Sequence, residues 1–223
     1  MAPLMQSCHF FSRYGVTLTV LFALTGIGAE LFSISFTKAF EVSKAWEISF
    51  ISMFSVALFE PVSTGAAIYF IASRNDREPL NVYDCVMKSW HPYSRLVVCY
   101  FMVTGLVLLG FSLYLLPGIY LLYKLLFVEY LIVLQGKSPG EAMVESFFQT
   151  NGQSQLVLPS FCLLIGLFLV GSWGIDAAVI SLGESDFVRI MGVFIKAPLV
   201  AFAVVVGFRL YDLSLRASLK PGV

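Results

Sequence analysis

The sequence predicts an all-α, polytopic integral membrane protein, with six transmembrane helices and an interfacial amphipathic helix between spans four and five. Two observations predict it. Of 223 residues, 58% are hydrophobic and only 13% are charged, against about 25% charged in an ordinary soluble domain. Mostly apolar runs near the ~20 residues that cross a bilayer also recur along the whole chain. They fall at roughly 16–36, 48–71, 94–116, 118–134, 155–175 and 188–210. No internal repeat or separate soluble segment interrupts them, so 1–223 reads as a single membrane domain.

Span one holds Glu30 near its end, where a carboxylate reaches interfacial water more cheaply than at mid-bilayer. In span two Glu60 precedes Pro61, which removes a backbone donor and frees a carbonyl one turn back. Ser63, Thr64, Gly65, Ala66 and Ala67 follow, and such small residues let a neighbouring helix approach closely. A polar link over 75–92 reads as partly helical.

Spans three and four would be one overlong run without Pro117 and Gly118. Proline does not continue a helix interior and glycine accepts turn geometry, so this pair predicts a tight hairpin turn. Next comes SPGEAMVESFFQT, residues 138–150. Ser138 is placed as N-cap, Pro139 takes the first helical position, and Glu141 completes a capping box. At about 100° per residue, Met143, Val144, Phe147 and Phe148 share one face, with Glu145, Ser146 and Gln149 on the other. That pattern predicts an interfacial helix whose apolar side packs under the bundle. Span six carries Lys196 just before Pro198. Beyond it lie Asp212 and Arg216, an i,i+4 pair, with Tyr211 as an interfacial aromatic anchor.

The 14 basic and 14 acidic residues balance, which argues against nucleic acid as a partner. The four cysteines form no CxxC pair and stand apart from His9 and His91, so neither disulfide nor metal site is expected. No HExxH, Walker A or GxSxG motif is present. The reading is therefore a non-enzyme without cofactor. Orientation follows from Lys and Arg placement. One side gathers Arg13, Arg74, Arg77, Lys88, Arg95, Lys137, Arg209, Arg216 and Lys220, and the other Lys38, Lys44 and Arg189. Both termini are expected in the cytoplasm, with Pro117-Gly118 facing outward.

Residues 58–216 resemble the bacterial YciC-like family, similar to the membrane domain attached to some glycerophosphodiester phosphodiesterases. The residues that carry the resemblance are PVSTGAAIYF, LPGIYLLYKLLFVEY, the SPGEAMVES helix and LYDLSLR. The resemblance implies a six-helix bacterial inner-membrane protein and supplies no catalytic residues. Lys124 departs from the family pattern, where an Arg or small residue is expected.

Charged residues inside spans are costly and mark candidate polar sites: Glu60, Lys124, Glu129 and Lys196. Lys124 is expected to snorkel toward the outer interface. Glu129, about 140° round the helix from it, faces other neighbours. Glu60 is the most central and its first expected partner is Lys196, its second Lys124, with a protonated, unpaired Glu60 as the third option. Tyr120, Tyr123, Phe127 and Tyr130 form an aromatic stripe expected to serve packing. The lipid bilayer and other membrane subunits, or copies of the same chain, are the expected partners. The expected function is a structural, scaffolding or assembly role in a membrane complex or envelope maintenance. The rival is a small-solute or lipid transporter using the intramembrane charges.

Overall fold

The computed structural model describes residues 2–75, 78–152, 154–183 and 185–218. Arg77 and Lys220, counted above in the orientation, lie outside the described residues. Among the described residues the chain forms nine helices and no strand. They are α1 (Ala2–Ala39), α2 (Ala45–Asn75), α3 (Val82–Ser89), α4 (Tyr93–Leu113), α5 (Leu115–Lys124), α6 (Val128–Gln135), α7 (Pro139–Gly152), α8 (Ser154–Ser181) and α9 (Asp186–Ser218).

Six stretches are long and apolar enough to cross a membrane: Met5–Ala39, Trp46–Asn75, Tyr93–Leu113, Leu115–Gln135, Val157–Ser181 and Asp186–Arg216. The chain is a multi-pass, all-α membrane protein. Helices of this kind satisfy every backbone group internally, which hydrocarbon requires.

α1 packs along both α2 and α9. At one end of this group Lys38 pairs with Asp186, and Arg189 with Glu30 at 2.6 Å. Glu30 is thus held by a cation rather than left to interfacial water. At the opposite end Arg13, Arg74, Arg209 and Arg216 gather around one cleft. The core between them is built from Leu18, Ile68, Leu96, Phe127, Leu131 and Val205, all essentially sealed. Small residues set the helix spacing. A Cβ on Gly65 would meet the Cβ of Ser89 at 3.0 Å, so the short α3 lies against α2 only because that position is bare.

The hairpin between spans three and four turns at Tyr114, not at Pro117-Gly118. Tyr114 alone is extended (φ −163, ψ 161), and α5 restarts at Leu115. Proline is tolerated in the first turn of a helix, where its missing N–H has no intrahelical partner to lose. Gly118 instead permits close approach. A Cβ on Gly110 would lie 3.0 Å from the Gly118 Cα, so the two helices touch backbone to backbone.

Span four is not one helix. The ladder breaks between Lys124 and Val128, and α7 mends the break. The Ser146 hydroxyl donates to the Lys124 carbonyl at 2.7 Å and accepts the Phe127 N–H at 3.1 Å. Thr150 adds a bond to the Ser146 carbonyl at 2.6 Å. The inward face of α7 is therefore Ala142, Ser146 and Thr150, all fully buried, while Val144 and Phe148 are 59% and 67% exposed. The helix is thus rotated from the expected facing: Ser146 of the polar face turns inward and Val144 and Phe148 of the apolar face turn outward, while Met143 still packs against the core. In a membrane, both core and surroundings are apolar, and small residues rather than large ones mark the packed side.

At its start α7 follows the sequence. The Ser138 N–H donates to the Glu141 carboxylate at 3.1 Å, and Ala142 N–H to the Ser138 carbonyl at 2.9 Å. Hydrogen bonding from the Ser138 side chain and backbone N–H holds the Glu141 carboxyl below the usual glutamate value. Just before α7, Gly136 caps α6 in the left-handed conformation (φ 68), and Arg95 donates to its carbonyl at 2.6 Å.

Candidate functional site

The four charged residues singled out within the spans do not meet as expected. Lys196 pairs with Asp176 of α8, not with Glu60, although Lys196 and Glu60 line the same cavity. The expected span five ends at residue 175, whereas α8 runs on to Ser181 and brings a carboxylate to the lysine at its own depth. Lys124 does not snorkel outward. It is buried, donates to Asn151 Oδ1, and lies 5.0–5.4 Å from the ring centroids of Phe147, Tyr123 and Tyr120. The return of α7 alongside α5 creates this cage, since an amide acceptor and three ring faces offset the buried ammonium.

The aromatic stripe divides in the same way. Tyr123, Phe127 and Tyr130 are buried, while Tyr120 is half exposed. Tyr130 donates to the Val204 carbonyl at 3.0 Å and stacks on Tyr211 at 5.5 Å. Tyr211 is thus an internal packing residue, 2% exposed, rather than an interfacial anchor. Beside it Arg216 grips Asp212 with two bonds, at 2.9 and 3.2 Å.

What the fold does bring together is Glu60 and Glu129. Both line a cavity of about 310 Å³ between α2, α4, α6, α8 and α9, with Thr64, Tyr100 and Phe161 on its walls. Tyr100 organises the polar side. Its hydroxyl lies 3.1 Å from the Thr64 hydroxyl and also hydrogen-bonds the Glu129 carboxyl. The two glutamates sit deep among protein atoms, close enough for their charges to interact. Each nevertheless keeps part of its surface open to the cavity. No lysine or arginine among the described residues pairs with either one.

Pro61 shapes the place where Glu60 sits. α2 continues through the proline, and hydroxyls from outside the ladder serve carbonyls beside it. Ser63 donates to the Glu60 carbonyl at 2.9 Å, and Tyr93 to the Leu58 carbonyl at 3.0 Å. These bonds reinforce the helix on either side of the proline, whose missing N–H frees the Ala57 carbonyl. Glu60 also borders a second cavity of about 280 Å³ between α1, α2, α8 and α9, lined by Thr25, Gly26 and Lys196. It therefore stands at the partition between two chambers.

Sequence reading locates both glutamates but misses Tyr100, Asn151 and Asp176. Tyrosine within an apolar run reads as an aromatic packing residue, and only the crossing of α4 over α2 turns its hydroxyl into a ligand for Glu129. Three or more His, Cys, Asp or Glu side chains do not cluster in metal-binding geometry among the described residues. No protein-family model, curated protein or solved structure matches this chain.

Proposed function

We propose that this chain is a non-enzymatic, multi-pass membrane protein that binds a proton or a small cationic solute at Glu60 and Glu129 and carries it through the bundle. One observation carries the reading: two mutually repelling carboxyls share one cavity inside the spanning region, and among the described residues no basic side chain pairs with either, Lys196 near Glu60 being taken by Asp176. Unpaired carboxylates at such depth are costly. A proton or an incoming cation removes the cost, and losing it again restores the cost. That cycle is the basis of coupled transport. The position of Glu60 between two cavities gives the cargo a route on either side of α2.

A hydrophobic carbodiimide tests the site, because it reacts with a protonated carboxyl in an apolar setting. Labelling mapped by mass spectrometry is expected at Glu60 or Glu129. In proteoliposomes under a potassium diffusion potential, an entrapped pH dye should report proton entry that Glu129→Gln abolishes. Absence of both labelling and flux would overturn the reading.

A subunit of a larger membrane assembly is the second reading, and α8 favours it. Within Val157–Ser181 only Val157, Phe161 and Leu164 are buried, so most of its circumference is open to lipid, to another protein or to a second copy of the chain. Co-purification of a fixed set of subunits in mild detergent would support assembly over transport. Placement in a bacterial inner membrane with cytoplasmic termini, and kinship with the YciC-like group, belong to the same proposal. The gathering of arginines at one end supports the first, and the order of the LPGIY and SPGEAMVES motifs supports the second.

A further inference from the structure

We propose that the arginine-lined cleft at the termini-bearing end of the bundle binds a phosphate-bearing anion. The cleft has a volume of about 710 Å³ and lies between the ends of α1, α2 and α9, apart from Glu60 and Glu129. Arg13 enters from α1, Arg74 from the last turn of α2, and Arg209 and Arg216 from α9. Of these, Arg216 is neutralised by Asp212. Arg13, Arg74 and Arg209 have no carboxylate partner among the described residues.

The way these guanidinium groups are held distinguishes them from ordinary interfacial arginines. Arg74 lies over the rings of Tyr14 and Phe70, at 5.3 and 4.9 Å. Arg13 also lies over the Tyr14 ring, at 5.4 Å, and Arg209 over Phe10 at 5.8 Å. Stacking fixes the planar faces and leaves the N–H edges as the working surface. Some edges are used: Arg209 donates to Asn75 Oδ1 at 3.2 Å, and Arg74 to the Leu80 carbonyl at 3.5 Å. The Nε atoms of Arg74 and Arg209 are buried and make no hydrogen bond. With no accessible surface these nitrogens face protein atoms, so the terminal NH2 groups are the donors that the cleft can use.

Three guanidinium groups without a carboxylate partner around one cleft match an acceptor with several oxygens at once. Phosphate is that acceptor, since it takes two parallel N–H bonds from each fork and offers oxygens in more than one plane. A phospholipid headgroup and a free phosphate compound share this chemistry. The cleft lies where three spanning helices end, the level at which headgroups and water meet such helices, so both can reach it.

The test uses the purified full chain in an uncharged detergent, with two probes titrated calorimetrically. One is a short-chain phosphatidylglycerol and the other is inorganic pyrophosphate. Saturable binding of either supports the proposal. Phosphatidylglycerol bound and not displaced by pyrophosphate identifies a lipid headgroup, and the reverse identifies a soluble ligand. Arg13→Gln should weaken binding about tenfold, the loss of one charge-assisted phosphate contact, and because that side chain is exposed its removal spares the core. Arg209→Lys keeps the charge but loses the fork, and should weaken binding while thermal stability stays near that of the parent. Failure of both probes to bind saturably overturns the proposal. So does unchanged affinity in both variants.

Discussion

Ser146 accepts the backbone N–H of Phe127 at 3.1 Å, and through this bond a helix further down the chain closes a gap in the fourth span. The same hydroxyl donates to the carbonyl of Lys124. One buried side chain thus serves a backbone group on each side of the break between α5 and α6. Ser146→Ala should strand the Phe127 N–H and leave the Lys124 carbonyl only its longer bond from the Thr150 hydroxyl, at 3.4 Å. A stranded group costs about 1–3 kcal/mol, so a loss within that range is expected in detergent unfolding. Ser146→Cys, of similar size but with a weak donor, should fall between. A neutral alanine variant would show that water or a shifted backbone closes the gap instead.

Glu60 and Glu129 make a separate prediction, one of function rather than stability. Glu→Gln at either position removes an ionisable group and the repulsion between them, so neither variant should be less stable than the parent. Both should lose proton entry in liposomes. Tyr100→Phe removes the hydroxyl that joins Thr64 to Glu129. It should slow entry without abolishing it, because the tyrosine positions the carboxyl and does not replace it. Destabilisation of Glu60→Gln by several kcal/mol, the size expected when one partner of a buried ion pair is removed, would point to such a pair, contrary to the geometry.

The six spans are legible because a bilayer imposes a length and a composition that few other contexts impose. The break at residues 125–127 is not, since LLFVE is an ordinary apolar stretch and its remedy lies in another helix. The facing of α7 escapes an amphipathic reading for a physical reason. Large apolar side chains turn inward when water is the alternative, but lipid removes that asymmetry. The usable signal is Ala142, Ser146 and Thr150 at four-residue spacing, one small stripe on a helix with large aromatics opposite. The charge pairings fail at a boundary. With span five ending at 175, Asp176 counts as a loop residue, and Lys196 is left to look for Glu60. In the arginine cleft, the basic residues are legible as an orientation signal, while their convergence depends on how α1, α2 and α9 pack.

The cap of α7 gives a pH dependence. Hydrogen bonds from Ser138 hold the Glu141 carboxyl below its ordinary value of 4.5. A depressed folded-state value means that the cap contributes fully above the unfolded value and is lost as pH falls through the folded one. Amide exchange at Ser138 and Ala142 should be uniform, after correction for intrinsic rates, from neutral pH down to that range and should accelerate below it. Glu141→Gln should abolish the acid-dependent step, because the uncharged amide titrates nowhere in this window.

Lys196 and Asp176 provide the sharpest test of the arrangement of α8 on α9. The pair is partly open on its outer side, but α9 starts at Asp186, which places Lys196 roughly 15 Å along the helix at 1.5 Å per residue. With α9 spanning a bilayer, as its length and apolarity allow, that exposure faces lipid rather than water, where screening is weak. Asp176→Asn should leave a lysine charge in hydrocarbon, at a cost of about 1–3 kcal/mol given the insertion penalty for lysine in a span. Lys196→Met in the same chain should recover most of it. Glu60→Gln combined with Lys196→Met should be additive, because those two side chains share a cavity wall without pairing. A double-mutant cycle that couples Lys196 to Glu60 and not to Asp176 would place α8 elsewhere on the bundle.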